Sequence, residues 1–288
     1  MSTIDTVQVR PSGKALGADI EGVDLARPID DATFARIMQA WLDHLVLRFR
    51  GQDLDDASLV AFSRRFGTLD LAAITVTGER EIPEYPEINV ISNVKLNGKP
   101  IGSLGNYESI WHTDMSYNEA PPRMSLLYSL EVPAEGGNTG FLNMYLAYET
   151  LPADLKEIAD RFSCKHDASR NSAGELRSGF RDMSDPREIP GAVHPLAPVH
   201  PVTGRRALLL GRRRNAYIPG LTLTESEDAL DRLWAHATQP HLRWDQVWKK
   251  GDLIFWDNRC TMHRRDSFDD NARRVLHRTQ IQGERPHR

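Results

Sequence analysis

His112 and Asp114 stand two residues apart in Trp111-His112-Thr113-Asp114-Met115-Ser116-Tyr117. In extended backbone, residues i and i+2 face the same way. One imidazole and one carboxylate can therefore meet at a point from a single strand end. A third donor must come from far along the chain. The candidate is His263, in Trp256-Asp257-Asn258-Arg259-Cys260-Thr261-Met262-His263-Arg264. Two imidazoles and one carboxylate on one side of an ion leave its other side open, the donor set of non-haem Fe(II) oxygenases. A His-x-Asp pair alone is common on protein surfaces, so the weight rests on its surroundings. A zinc hydrolase could use the same donors, but the chain has no His-Glu-x-x-His spacing to supply its base.

Strands must present these residues, and the pattern predicts them. Met124 to Val132, Leu196 to His200, Arg206 to Gly211, Asp252 to Trp256 and Arg274 to Gln282 read as strands, as do Leu45 to Phe49 and Ile88 to Val94. Helices are expected from Asp30 or Asp31, with Phe34, Ile37, Met38, Trp41 and Leu42 on one face, and from Asp55-Asp56 to Gly67. Tyr145 to Leu151 and Ala153 to Phe162 look helical. A further helix is expected over Thr224–Thr238, with Thr224 as cap and Glu227 at its third position. Gly136-Gly137-Asn138-Thr139-Gly140 is a turn. Residues 95–109 read as a loop able to close over a site, and 167–192 as a long polar insertion or lid without period. Many strands with few helices suggest a β-sandwich or barrel core under helical cover, in a single domain over 1–288.

Composition excludes several classes. A net charge of -4 shows no basic excess for nucleic acid. No apolar run approaches the ~20 residues a membrane span needs. Two distant cysteines, Cys164 and Cys260, make no disulfide framework and suggest a reducing compartment. The N-terminus lacks a basic and then apolar signal pattern. A cytoplasmic homo-oligomer is the expectation. The run Arg212-Arg213-Arg214 reads as solvated or as lining a site for an anion.

His112-x-Asp114, the Gly-Gly-Asn-Thr turn at 136–139, Trp256-Asp257-Asn258-Arg259, His263 and Arg274 eleven residues later occur in one order. This order resembles the 2-oxoglutarate-dependent dioxygenase superfamily, and within it the branch of taurine dioxygenase and 2,4-dichlorophenoxyacetate dioxygenase. The similarity runs from Gly17-Ala18-Asp19-Ile20 to the C-terminal strand. The resemblance implies a mainly β fold with a double-stranded β-helix (jelly-roll) core and helical cover. It implies Fe(II) held by His112, Asp114 and His263, with 2-oxoglutarate and O2 as cosubstrates. It makes Arg274 and Thr139 the residues for the far carboxylate of 2-oxoglutarate, and a guanidinium suits a carboxylate bidentately.

Arg278 lies four residues after Arg274, on the same strand face, where both relatives bind the anionic group of the primary substrate. The taurine enzyme holds sulfonate with a His and a Tyr after an early Phe-Gly turn. Here that stretch reads Leu71-Ala72-Ala73-Ile74-Thr75, with neither. Leu71 and Ile74 would suit an aryl or alkyl body, and Asn93 in Ile91-Ser92-Asn93-Val94 matches the phenoxyacetate side. The expected substrate is a small anion, an aryloxyalkanoate-like carboxylate cleaved at its ether. An alkyl sulfonate or sulfate is the second reading, and a non-catalytic barrel binding a small acid is the third. His277 points to the opposite face and reads as structural, as do His194, His200, His236 and His241.

Overall fold

Alternation along each strand decides what its two faces meet, and here the central strands are buried on both. The computed structural model describes residues 7–72, 80–104, 109–172 and 174–288. The chain begins with β1 (Gln8–Pro11), β2 (Ala18–Glu21), α1 (Asp31–His44), β3 (Val46–Phe49) and α2 (Asp56–Arg64). Next come β4 (Asn89–Ser92), the two-residue strands β5 (Lys95–Leu96), β6 (Lys99–Pro100) and β7 (Ser103–Leu104), then β8 (Ser109–His112), β9 (Met124–Glu131) and β10 (Thr139–Asn143). Helices α3 (Met144–Glu149) and α4 (Ala153–Arg161) lead to β11 (Ser163–Lys165) and β12 (Val193–Pro195). The chain closes with α5 (Leu223–Ala237), β13 (Arg243–Gln246), β14 (Leu253–Asp257), β15 (Thr261–Arg265) and β16 (Val275–Ile281).

Eight strands pair in the order β1-β2-β3-β14-β9-β16-β4-β7, and four in the order β13-β10-β15-β8. One face of the larger sheet meets the smaller sheet, and its other face meets α1 and α2. On β9, Leu127 joins the core between the sheets, while Leu126 and Tyr128 join the core under the helices. On β14, Ile254 and Trp256 point to the first core, Leu253 and Phe255 to the second. A strand covered on both faces reads as an unbroken apolar run, and Leu253-Ile254-Phe255-Trp256 is one. This is the mainly β, jelly-roll core with helical cover that the sequence implied.

The two early helices form as their caps dictate. Asp30 accepts from the Thr33 backbone N–H at 2.6 Å, and Asp55 from that of Ser58 at 2.7 Å. Helix α5 corrects an expectation. Its cap is Thr222 with Glu225 in a reciprocal capping box, one pattern earlier than Thr224 with Glu227. Both quartets fit Thr-x-x-Glu, and Leu223 and Ser226 extend the helix upstream.

Other elements differ too. Residues 196–200 and 206–211 form no regular strand; they meet through a bridge between Val199 and Arg206 and through backbone bonds from Ala207 to Pro198 and from Leu209 to Leu196. Pro198 and Pro201 remove donors there. The expected loop at 95–109 contains a β5–β6 hairpin, and β7 lies parallel to β4; residues 105–108 lie outside the described residues. The stretch 167–192 carries little regular structure, as its missing period implied, but it is tied to the strand bearing the motif. Ile110 N–H donates to the Ser172 carbonyl at 3.3 Å, and Ala192 N–H to that of Tyr117 at 3.0 Å.

Candidate metal centre and active site

Strand pairing brings the distant histidine to the motif. His263 on β15 stands opposite His112 on β8. Their rings lie 4.2 Å apart between centroids. Asp114, just past the end of β8, turns its Oδ1 toward both, 3.5 Å from His112 Nε2 and 3.7 Å from His263 Nε2. The three donor atoms lie within 4.8 Å of one another, and all three residues are buried. His112 Nδ1–H donates to the Ile110 carbonyl at 2.8 Å, so Nε2 is the nitrogen that faces the site. Burial pushes His263 down to about 3, so it is neutral. Burial works to raise the Asp114 carboxyl, but Arg278 and the two imidazoles outweigh it and hold it well below the usual carboxylate range. Two neutral imidazoles and a carboxylate suit a divalent ion such as Fe(II).

Next to this trio lies a cavity of about 180 Å³. Thr139 and Arg274 line it. Arg274 is 2% exposed, and none of the described carboxylates pairs with it. Burial, with Arg265 nearby, pushes its guanidinium down to about 9. A desolvated cation without a partner is costly unless a bound anion completes it. Trp248 Nε1–H donates to Thr139 Oγ1 at 3.0 Å, so the Thr139 hydroxyl keeps its own proton to give. Gly137, at φ 63°, lets the preceding turn pass close to Arg274; a β-carbon there would lie 3.3 Å from Arg274 Cδ.

The family model described as taurine catabolism dioxygenase TauD, TfdA family, matches residues 8–280. The chain belongs to this family. The chain is 33% identical to the alpha-ketoglutarate-dependent 2,4-dichlorophenoxyacetate dioxygenase of Cupriavidus pinatubonensis, over 95% of this chain and 96% of that one. It is 35% identical to pentalenolactone F synthase of Streptomyces avermitilis, over 93% and 91%. Among solved structures, a taurine dioxygenase from Burkholderia xenovorans superposes with a TM-score of 0.79 at 33% identity, covering 98% of this chain and 91% of that one. AAD-2 in complex with Mn(II) and N-oxalylglycine gives 0.79 at 30% identity, covering 98% and 100%. The TauD/TfdA enzyme described here is thus a dioxygenase that uses a metal ion, 2-oxoglutarate and O2.

The remaining expected residues of this dioxygenase fall in different places. Arg278 lines the cavity from β16, on the face that also carries Leu276 and Gln280. Its Nη1 is 3.6 Å from Asp114 Oδ2, and its Nη2 donates to Asn89 Oδ1 at 3.4 Å. Asn93 does not line the cavity. It clamps the strand start instead, accepting from Arg274 N–H at 3.0 Å and donating to the Ala272 carbonyl at 2.8 Å. Leu71 is 61% exposed and away from the cavity wall, and Ile74 lies outside the described residues. The apolar wall is made by Ile91, Met115, Leu127 and Trp256.

Sequence reasoning missed Arg177, Arg265 and Tyr117, all on the cavity wall. It left Arg212 undecided within a run that the structure divides. Arg212 faces the cavity, whereas Arg213 pairs with Glu227 and Asp231, and Arg214 is exposed. His200 is structural, as expected. It donates from Nε2 to Asp257 Oδ2 at 3.0 Å, beside the buried Cys260. Arg259 grips the same carboxylate, so this cluster is internally satisfied. His277 faces away from the site and pairs with Asp56 at 2.6 Å.

Proposed function

We propose that this dioxygenase oxidises a small anionic organic substrate, an aryloxyalkanoate-like carboxylate, at the carbon beside its ether oxygen. His112, Asp114 and His263 would hold Fe(II). Bound Fe(II), with 2-oxoglutarate and O2, supplies the oxidising chemistry that releases succinate and CO2 and hydroxylates the substrate. Arg274 and the Thr139 hydroxyl hold the far carboxylate of 2-oxoglutarate and so orient its reacting end toward the trio. Arg278 holds the substrate carboxylate beside the metal. Ile91, Leu127, Met115 and Trp256 take the apolar body and keep water from it. The hydroxylated product is a hemiacetal, which collapses to an alcohol or phenol and a carbonyl compound.

The observation that carries this reading is the pair of guanidiniums, Arg274 and Arg278, on one wall of the cavity that holds the trio. Arg278 would suit a sulfate or sulfonate equally, which supports the second reading. A relative 31% identical to this chain is the alpha-ketoglutarate-dependent sulfate ester dioxygenase of Pseudomonas putida. The test is succinate formation with Fe(II) and ascorbate across aryloxyalkanoates, alkyl sulfonates and alkyl sulfates. Turnover with the first class supports the main reading, and turnover with only the others replaces it. No helix among the described residues is long and apolar enough to cross a membrane. The buried free thiols of Cys164 and Cys260 support the cytoplasm as the place of action. A homo-oligomer would cover exposed apolar side chains such as Leu71 and Ile110.

A further inference from the structure

The cavity is lined by five arginines, Arg177, Arg212, Arg265, Arg274 and Arg278, against Asp114 as its one lining carboxylate. A divalent ion and the dianion 2-oxoglutarate cancel each other, so loading the site adds no net charge to offset Arg177, Arg212 and Arg278. One further carboxylate removes a single charge. Three of the arginines have no role in the reading above, and two of them, Arg177 and Arg212, sit together. Arg177 and Arg212 both stack on Tyr117, with guanidinium carbons 4.5 and 5.5 Å from its ring centroid. Each guanidinium is drawn to the ring, but the two like charges repel each other, and an anion between them would offset that repulsion.

Their neighbours in the chain show the contrast. Arg170 pairs with Asp182, Arg187 with Asp185, and Arg213 with Glu227 and Asp231. Arg177 and Arg212 form no ion pair among the described residues. They donate only to backbone carbonyls, those of Ala168 at 3.4 Å and Arg170 at 2.5 Å. Arg212 Nε is buried without a partner. Burial lowers the Arg212 guanidinium, the sign of a cation that has lost water and gained too little. The two side chains also approach from a different wall than Arg278. Arg278 comes from β16 in the larger sheet. Arg177 and Arg212 come from loops hydrogen-bonded along β8 in the smaller one, through Ile110 to Ser172 and Thr113 to Gly211.

We infer that Arg177 and Arg212, stacked on Tyr117, form a second anion subsite, and that the primary substrate is a dianion spanning it and Arg278. This deepens the proposed function and rests on it. A second anionic group on the far end of an aryloxyalkanoate would meet Arg177 and Arg212 while the first stays on Arg278.

The test uses two acids that differ only in that group, phenoxyacetate and 4-(carboxymethoxy)benzoate. Their affinities for the enzyme loaded with Mn(II) and 2-oxoglutarate are measured by titration calorimetry. The dianion should bind wild type at least tenfold more tightly, as a charge-assisted contact warrants. In Arg212→Gln, and in Arg177→Gln with Arg212→Gln, that preference should fall below threefold. Equal affinities in wild type, no binding of either acid, or a preference that survives in both variants would overturn the subsite. The wild-type comparison decides alone if a variant does not fold. Failure of the underlying reading is recorded separately, as absence of succinate from either acid with Fe(II).

Discussion

Asp114 is fixed by three side chains before any ion is considered. Ser125 Oγ and Gln280 Nε2 donate to its Oδ2, at 2.9 and 3.2 Å. Asn258 clamps its backbone, accepting from the N–H and donating to the carbonyl, each at 2.9 Å. That leaves Oδ1 to face the two imidazoles, and partners of this kind fix a ligand's orientation. Asp114→Ala should lose Fe(II)-dependent turnover and bind metal more weakly while staying folded; a fully active variant would remove it from the ligand set. Arg274 supports a sharper expectation, because its guanidinium is buried without a carboxylate. Losing one partner of a desolvated charge pair costs about 2–5 kcal/mol. Arg274→Ala should raise the KM for 2-oxoglutarate at least tenfold, and an unchanged KM would sink the assignment. At this scale the sequence was legible where spacing encodes geometry. The spacing of His112 with Asp114, and of Arg274 with Arg278, pointed each pair to one face, although Asp114 lies just past β8 and Arg274 just before β16. Arg177 and Arg212 lie in stretches with no period, so nothing local told which of several arginines would turn inward.

At the scale of elements, β8 is positioned as much by loops as by its sheet. Thr113, between two candidate ligands, donates its N–H to the Gly211 carbonyl at 3.1 Å. Gly211 has φ 64°, and a β-carbon there would fall 1.9 Å from His166 Nδ1 and 2.7 Å from Ser116 Oγ. Gly211→Ala should therefore push this loop off β8 and lower both Tm and turnover. Activity and Tm equal to wild type would show that the loop does not position the strand. Helices α1 and α2 were readable because an Asp cap and an apolar stripe agree at each. The start of α5 was not, because two overlapping Thr-x-x-Glu quartets compete and local pattern cannot rank them. The 167–192 segment was unreadable for another reason. It lacks regular elements, and the bonds that fix its place run to Ile110, Tyr117 and Arg212, partners far away in sequence.

For the whole molecule, the many strands and few helices pointed to a sandwich or barrel under helical cover, but not to which strands lie side by side. Strand order depends on long-range pairing that no local period encodes. The fold also buries a neutral histidine whose titration should be visible in its stability. His166 is fully buried, neither ring nitrogen has a partner, and burial, with His194 and Arg212 nearby, pushes it from 6.5 down to about 3. Between those values the unfolded chain binds a proton that the folded chain refuses. Stability should thus fall as pH drops from about 6.5 toward 3, and His166→Leu should flatten the dependence of Tm on pH; equal slopes would contradict this. Arg274, just before β16, and Arg278, on it, are assigned to different molecules. Paired titration of 2-oxoglutarate and of the primary substrate, on wild type and Arg278→Gln, addresses that division directly. Removing a charge-assisted contact of about 1.5–3 kcal/mol should raise the substrate KM roughly ten- to a hundredfold, with little change in the KM for 2-oxoglutarate. Equal loss toward both, or loss toward 2-oxoglutarate alone, would contradict it.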